Sequence, residues 1–258
     1  MQTDPHETAG HPPAGQILRR LLVLLVVAAA TLLAWSANRL PPPLPDTAPD
    51  TLFSAERAMQ DVRAIAVAPH PIGSAAIEDT RRYLTARMTA LGLAPQMRDQ
   101  TVVVTRRNSA DAAIGGRVRN IVGELRGRDP ALPAILLMAH YDTAPLSPGA
   151  GDDTAGVAAA LEIARALKAG GVLRRSVLFL FTDGEEAGLL GANAFFQDDP
   201  LRRRVGSVIN MEARGDSGRT LMFQTSPGNR ALIEAYGRTA TVPASDSLMV
   251  SECPTTPT

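Results

Sequence analysis

The sequence is poor in features that would cross-link the chain or give it a dominant charge. One cysteine, Cys253, occurs among 258 residues, so an internal disulfide and a multi-cysteine metal site are excluded. Lysine plus arginine and aspartate plus glutamate both total 26, which leaves no basic surplus that would indicate nucleic-acid binding. No Gly-x-Ser-x-Gly elbow is present, which disfavours a serine hydrolase. The composition, 45% hydrophobic and 20% charged, suits one globular domain with an additional segment.

A long apolar run lies near the N-terminus. Leu21–Ala37 carries no charge, two arginines precede it and one follows it. About 20 apolar residues span a bilayer, so residues 17–38 are predicted to be a transmembrane anchor. A cleaved signal segment is the alternative, because small residues that resemble a cleavage site end the run. Residues 1–16 are polar and are predicted to form a disordered cytoplasmic head.

The arginines before this run favour a cytoplasmic N-terminus, and both alternatives place the globular part of the chain on the periplasmic or extracytoplasmic side. Residues 39–50 are rich in proline and are predicted to be an extended linker. The globular domain is predicted to begin at Thr51 and to continue through residue 258.

Alternating helical and strand patterns in residues 51–258 predict an α/β fold. Helices are predicted over 54–67, 75–91, 154–168, 189–196 and 229–239, and strands over 101–105, 120–125, 134–138, 176–181, 205–210 and 221–224. Strands that alternate with helices form a mostly parallel sheet between helices.

Histidine and acidic residues follow several of the predicted strands. Taken singly, each has a structural explanation: a core histidine, a helix N-cap or a solvated acidic turn. Gathered at the carboxyl ends of neighbouring strands, unpaired carboxylates would repel one another, so the set predicts a divalent metal site. The residues are His140, Asp142, Asp152, Asp153, Glu185, Glu186 and Glu212.

Spacing within the motifs separates metal ligands from supporting residues. His140 and Asp142 are two residues apart and lean the same way in extended chain, so Asp142 is expected to orient His140 rather than to bind metal. Glu185 and Glu186 are adjacent and point in different directions. One of the two can therefore bind metal while the other faces a bound water.

These motifs, in this order, resemble the di-zinc exopeptidase family. The family includes bacterial leucyl aminopeptidases, aminopeptidase Y, and the membrane-anchored endoplasmic-reticulum and vacuolar metallopeptidases. The resemblance covers residues from about 51 to 249 and implies a zinc-exopeptidase-like α/β/α sandwich. It rests on His140-x-Asp142, Gly149-Ala-Gly-Asp152-Asp153-x-Ala-Gly156, Glu185-Glu186 and Asn210-x-Glu212, and His70-Pro-x-Gly-Ser74 is similar to the membrane-anchored branch.

The resemblance implies two zinc ions and a ligand role for four residues. His140 and Glu212 would bind one ion, Glu186 would bind the other, and Asp152 would bridge the two. Asp153 would follow the bridging aspartate across an unusual peptide bond, with cis as a candidate geometry. The family's aminopeptidases use aspartate where this chain has Glu212, so trimming from the carboxyl end stays open.

The resemblance also implies two catalytic residues. Glu185 would be the general base, which takes a proton from water and returns it to the leaving amine. Asp142 would support His140. The implied function is a membrane-anchored, zinc-dependent exopeptidase that acts on peptides, with aminopeptidase activity favoured. The alternatives are carboxypeptidase or glutaminyl-cyclase-like chemistry on the same scaffold, and a non-catalytic, membrane-tethered binding domain.

The C-terminal end departs from the family pattern. The family supplies a last histidine to the second zinc, and no histidine follows His140 here. The domain is therefore expected to be C-terminally truncated, with weak or absent activity. Codons can be chosen for Ser251–Thr258 that, read one nucleotide earlier, give Arg-Met-Pro-Asn-Asp-Thr-Asp, similar to a segment of the membrane-anchored branch. A frameshift is the resulting hypothesis, and codons that exclude this peptide would refute it.

Overall fold

The computed structural model describes residues 14–37, 39–105, 113–213, 215, 218 and 220–245. Most of the predicted head, and residues 246–258 on which the frameshift hypothesis rests, lie outside the described residues. The chain divides into two compact units. The larger unit is Pro42–Asp216, and the smaller unit combines Met1–Pro41 with Ser217–Thr258.

The larger unit is built on a mixed sheet. Its described strands are β1 (Gln96–Thr105), β2 (Ala113–Leu125), β3 (Ala134–His140), β4 (Val177–Thr182) and β5 (Val205–Asn210), in the order β1-β2-β4-β3-β5. β3 is parallel to β4 and β5, whereas β2 is antiparallel to β1 and β4. The predicted α/β fold with a mixed sheet is confirmed, and its parallel part consists of β3, β4 and β5.

Helices cover both faces of this sheet. Counting from α1 (Ala14–Ala37) in the smaller unit, the larger unit contains α2 (Ala55–Ile65), α3 (Ala76–Ala90), α4 (Ala155–Ala169) and α5 (Leu190–Asp198). On one face, Phe179 and Phe181 of β4 pack in an apolar cluster with residues of α2, α3 and α4. On the other face, Leu180 packs with Phe195 of α5. Successive side chains of β4 alternate between the faces, so this strand is buried on both sides.

The three parallel strands end side by side. His140, the last residue of β3, is paired with Thr182, the last residue of β4. Met138 of β3 is paired with Asn210, the last residue of β5. The loops that follow these strands therefore leave the sheet at the same edge, where α/β proteins place their sites. All the predicted site residues lie at that edge of the larger unit.

Residues 42–53, here called the docked segment, pack against the larger unit, although residues 39–50 read as an extended linker in the sequence. The guanidinium group of Arg57, on α2, donates to four main-chain carbonyl groups of this segment. The acceptors are Asp46 at 2.6 Å, Ala48 at 2.7 Å, Leu52 at 2.7 Å and Pro49 at 3.4 Å. One largely buried arginine thus satisfies polar groups that a solvated linker would leave to water.

A buried glutamate on α4 holds that arginine in place. Glu162 is 4% exposed, and its carboxylate accepts from Arg57 Nε at 3.0 Å and from the main-chain N–H of Ser54 at 2.9 Å. Arg165 also binds Glu162 and donates to the carbonyl of Leu52 at 2.9 Å. Charged groups that are buried together need this full set of partners. The docked segment is therefore an integral part of the larger unit.

The smaller unit contains the apolar helix and a second, C-terminal helix. α1 is long and apolar enough to cross a membrane, a test that a signal segment also passes. α6 (Arg230–Thr239) agrees with the helix predicted over 229–239. The strand predicted over 221–224 is wrong: among the described residues, Met222 forms one isolated bridge with Ser245. A β-branched or apolar run forms a strand only where a neighbouring strand supplies a ladder of hydrogen bonds.

Candidate metal centre

His140 ends β3 with its side chain only 2% exposed. Its Nδ1 lies 3.0 Å from the main-chain carbonyl oxygen of Asp142 and 3.6 Å from Oδ1 of the same residue. A carbonyl oxygen can only accept, so Nδ1 carries a proton and donates to it. The carbonyl of Asp142, more than its carboxylate, therefore orients the ring, and Nε2 is left to face the acidic side chains.

Three of the predicted metal ligands converge around Nε2 of His140. One donor atom from each of His140, Asp152 and Glu212 lies within 4.8 Å of the other two. Nε2 is 2.9 Å from Asp152 Oδ1 and 3.9 Å from Glu212 Oε1. The predicted general base joins this group, since Glu185 Oε2 lies 3.8 Å from Nε2. One imidazole and three carboxylates thus meet from the loops that follow β3, β4 and β5.

Glu186 is the predicted ligand that lies outside the group of His140, Asp152 and Glu212. Its residue is exposed at the edge of the site. Its negative charge contributes to the raised pKa values of Glu185 and Glu212, so it lies near both carboxylates. The structure therefore brings three predicted ligands together and leaves the fourth beside them.

The carboxylate of Asp142 bonds to the loop after β4. Its Oδ1 accepts from the main-chain N–H of Glu185 at 2.9 Å, and its Oδ2 accepts from that of Glu186 at 3.2 Å. Asp142 itself is completely buried. A buried carboxylate that receives two N–H groups holds its partners firmly, because losing either bond leaves a buried charge short of a donor. Asp142 therefore fixes the main chain of the predicted base.

Asp153 joins the end of β3 to the start of α4. Its peptide bond with Asp152 is cis, which agrees with the candidate geometry that the family resemblance implies. Its buried carboxylate accepts from the N–H of Gly156 at 3.2 Å, as a helix N-cap does, and from the N–H of His140 at 3.2 Å. The expected capping role is thus present, with a second bond that ties it to the histidine.

The site is electrostatically unfavourable for negative charge. Burial, assisted by neighbouring acids, raises the pKa of Glu185 to about 7 and the pKa of Asp153 to about 8. Burial likewise raises the pKa of Glu212. Burial opposes protonation of His140, but the surrounding carboxylates outweigh it and raise the pKa of the imidazole to about 10. Burial and mutual repulsion thus favour protonated carboxyl groups, and the nearby imidazole only partly offsets this effect.

The donor set of this cluster suits a divalent metal ion, and zinc in particular. Neutral imidazole and carboxylate oxygens are both zinc ligands, and His140 offers Nε2 because Nδ1 is occupied by the carbonyl of Asp142. A cation bound among these carboxylates would offset the mutual repulsion that raises the pKa of Glu185 and Glu212. The residues present therefore fit the metal that the sequence motifs imply.

A buried network beside the cluster escaped the sequence analysis. Arg81 of α3 donates from Nε to Tyr141 Oη at 2.8 Å and from Nη2 to Asp183 Oδ2 at 3.1 Å. Tyr141 Oη donates in turn to the carbonyl of Arg119 at 2.7 Å. The only sequence signal was Asp183 itself, a carboxylate directly after a buried strand. Its partner on α3 is about 100 residues away in the chain, and no local pattern connects the two.

Comparison with known proteins identifies relatives by sequence. The profile of Peptidase family M28 matches residues 120–253. Vacuolar membrane protease of Eremothecium gossypii is 30% identical over 233 residues, which make up 84% of this chain and 23% of that protein. Endoplasmic reticulum metallopeptidase 1 of Homo sapiens is 38% identical over 120 residues, or 46% of this chain and 13% of that protein. The chain thus spans less than a quarter of the length of these relatives.

Solved structures share the fold. Glutaminyl cyclase of Porphyromonas gingivalis aligns with a TM-score of 0.58 and 26% identity, over 74% of this chain and 70% of that chain. BSAP, a zinc aminopeptidase from Bacillus subtilis, aligns with a TM-score of 0.53 and 15% identity, over 65% of this chain and 71% of that chain. The second likeness is one of fold alone.

Proposed function

Because this chain belongs to peptidase family M28, we propose that it hydrolyses terminal peptide bonds as a zinc-dependent exopeptidase, and specifically as an aminopeptidase. The observation that carries the proposal is the convergence of His140, Asp152 and Glu212, with Glu185 beside them. A folded chain gathers unpaired acids around an imidazole at the expense of stability, and such groups mark functional sites. The metallopeptidase and the membrane protease among the sequence relatives support the choice of a metal-dependent peptidase.

In this proposal, four residues hold two zinc ions. His140 and Glu212 would hold one ion, Glu186 would hold the other, and Asp152 would contribute to both. Zinc at such a site polarises a carbonyl group and brings the pKa of a bound water toward about 7. Glu186 lies outside the cluster formed by the other three, so a second ion requires a ligand set wider than that cluster.

The protein's own contribution to the reaction is proton transfer by Glu185. Its carboxylate lies 3.8 Å from His140 Nε2, beside the cluster, where a carboxyl group can take a proton from water and later donate it. It takes a proton from the attacking water and gives it to the leaving amine, so that the peptide bond breaks without a charged amide leaving group. Asp142 keeps the main chain of Glu185 in place during both transfers.

The test uses the purified full chain, loaded with zinc, and a panel of peptides with free or acetylated N-termini. We expect weak turnover that releases N-terminal residues from the free peptides alone, and a further loss of ~10²–10⁴-fold in kcat for Glu185→Gln. Zinc content should be unchanged in that variant. Glu56→Gln, at an exposed position on α2, is the matched control and should keep full activity. Full activity in Glu185→Gln would overturn the assignment of the base.

Glutaminyl-cyclase-like chemistry is the second candidate, because the P. gingivalis enzyme aligns with 26% identity and a TM-score of 0.58. Cyclisation of an N-terminal glutamine releases ammonia and leaves the peptide length unchanged, whereas an aminopeptidase shortens the peptide. Mass spectrometry of one glutamine-initiated peptide separates the two reactions. Ammonia release without shortening would favour the cyclase over the aminopeptidase.

The site is proposed to lie outside the cytoplasm, with α1 as the membrane anchor. The support is the length and composition of α1, the arginines that precede the apolar run, and the membrane proteases among the relatives. We expect the protein to stay with the membrane after alkaline extraction. We also expect protease added outside sealed cells to cut the larger unit. Protection of the larger unit until the cells are opened would reverse the orientation.

A further inference from the structure

Five residues, His70–Ser74, here called the connector, lie between α2 and α3 and take no part in the chemistry proposed for the acidic cluster. This connector contains the proline and glycine that interrupt the helical pattern, and it contributes no donor atom to that cluster. It nevertheless contacts the loops after β3 and after β4, the two loops that together carry His140 and Glu185. These contacts give the connector a role that a simple turn between helices would not have.

The first contact joins the connector to the loop after β3. His70 is buried, and its main-chain N–H donates to Thr143 Oγ1 at 2.9 Å. Its ring is fixed by a hydrogen bond of 2.8 Å between Nδ1 and the carbonyl of Ala68. Thr143 directly follows Asp142 in the chain. The connector is thereby bonded to the residue next to the one that holds the main chain of the predicted base.

The second contact is made by the side chain of Ile72. A Cβ atom placed on Gly184 would lie 2.6 Å from Ile72 Cδ1, which is too close for any real Cβ, so Ile72 lies directly against the main chain of Gly184. Gly184 has a φ of +71°, a conformation that favours glycine. The next residue is Glu185. Ile72 therefore supports the main chain immediately before the predicted base.

Helix α3 extends this support from the far end of the connector. Ser74 Oγ accepts from the N–H of Ile77 at 3.2 Å and so fixes the first turn of the helix. Further along α3, Arg81 binds Tyr141 and Asp183. Tyr141 belongs to the loop after β3 and Asp183 to the loop after β4. The connector and α3 thus both contact the loop after β3 and the loop after β4.

We propose that Ile72 is a positioning residue, whose side chain sets the location of Glu185 relative to His140 by supporting Gly184. The inference rests on the proposed function of Glu185 as the base. Glu185 Oε2 is now 3.8 Å from His140 Nε2. Truncating Ile72 removes the support, and a shift of ~1 Å in a reacting group can cost ~10²-fold in rate. Substrate binding and the other ligands would be unaffected.

The test compares Ile72→Ala with Val102→Ala in the full chain. Val102 is a matched control, because it is 7% exposed and belongs to the same apolar cluster, on β1. Both variants should show a similar fall in thermal midpoint. Ile72→Ala alone should lose at least ~10-fold in kcat, with KM and zinc content within ~2-fold of the native values. Ile72→Met, whose side chain is long enough to reach Gly184, should recover most of the rate.

A second readout makes the inference independent of activity. In the zinc-free protein, amide hydrogen exchange of the main-chain N–H groups of Glu185 and Glu186 should be at least ~10-fold faster in Ile72→Ala than in Val102→Ala. Equal exchange in the two variants would overturn the positioning role. If the native chain proves not to hydrolyse peptides, the proposed function fails, and the exchange measurement still decides the role of Ile72.

Discussion

At the scale of single residues, Asp142 has two separate tasks. Its main-chain carbonyl accepts from His140 Nδ1, and its carboxylate accepts from the N–H groups of Glu185 and Glu186. One residue thus orients the imidazole that we propose as a metal ligand and fixes the main chain of the glutamate that we propose as the base. The geometric relation between these two groups therefore depends on Asp142.

Asp142→Asn tests the second task. The new side chain is nearly the same size, but its amide NH₂ replaces one acceptor with a donor, which then faces a main-chain N–H. We expect kcat to fall by ~10–100-fold, the range found when outer partners of metal sites are removed. Zinc binding through His140 should persist, since the carbonyl of residue 142 is unchanged. Steady-state kinetics and zinc analysis are the measurements, with Asp198→Asn, at an exposed position, as the control. Unchanged kcat would contradict the role of the carboxylate.

The residues of the site were largely predictable from the sequence, whereas their hydrogen bonds were not. His140, Asp152, Glu185 and Glu212 were identified because each follows an apolar strand, and the structure brings all four together. The sequence suggested that the carboxylate of Asp142 bonds to His140. Its stronger bonds run to main-chain N–H groups more than 40 residues away, and main-chain donors leave no trace in a sequence.

At the scale of elements, the docked segment depends on Arg57. This side chain is 14% exposed, and it joins the carboxylate of Glu162 to main-chain carbonyl groups of the segment. We expect Arg57→Ala to lower the free energy of unfolding by ~1–3 kcal/mol, because it leaves the carbonyl groups of the segment without their donor, whereas Glu162 keeps Arg165. Chemical denaturation of the full chain measures this loss. Arg63→Ala, at an exposed position on the same helix, should change stability by less than ~0.5 kcal/mol.

If Arg57→Ala lowers the free energy of unfolding by no more than Arg63→Ala does, the docked segment stays packed without Arg57. Limited proteolysis adds a second measurement, since cleavage within residues 42–53 should be faster in Arg57→Ala than in the native chain. Equal cleavage rates would show that the segment stays docked by other contacts.

Element types were predicted better than element boundaries and partners. The helices predicted over 54–67, 75–91, 154–168, 189–196 and 229–239 and five of the six strands are present. β2 begins at Ala113, whereas the sequence predicts a start at residue 120. The prediction is too short because Gly115 and Gly116 in the first half of the strand are typical of a break. Gly116 packs closely against α5, since a Cβ at this position would lie 3.2 Å from Leu190 Cδ1. Such packing, and the pairing of β1 with β2, depends on tertiary contacts that a local sequence pattern does not contain.

At the scale of the whole molecule, the site links folding to pH. The folded-state pKa values of Glu185, Asp153 and His140 are raised to about 7, about 8 and about 10. A group that binds its proton more tightly in the folded chain stabilises the fold below its unfolded pKa, and this stabilisation is lost as the pH rises through its folded pKa. All three groups act in the same direction. The zinc-free protein should therefore lose stability between roughly pH 5 and pH 9.

Zinc should reverse this trend, because its ligands bind only after they lose their protons. We expect the zinc-induced rise in Tm of the full chain to be small at about pH 5.5 and to reach ~5–10 °C at about pH 8, with the same free zinc concentration at both pH values, set to ~100 times the Kd at pH 8. Thermal melts with zinc and with a chelator, at both pH values, provide the comparison. A zinc effect of equal size at the two pH values would show that the cluster does not bind zinc through these groups.

The docked segment also sets where the larger unit begins. The carbonyl groups of Asp46, Ala48 and Leu52 accept from Arg57, so a chain shortened to start at residue 51 would deprive that guanidinium group of two of these acceptors. A chain that starts at Pro42 keeps all three, and it is the shorter piece that we expect to lose solubility first when the larger unit is produced alone.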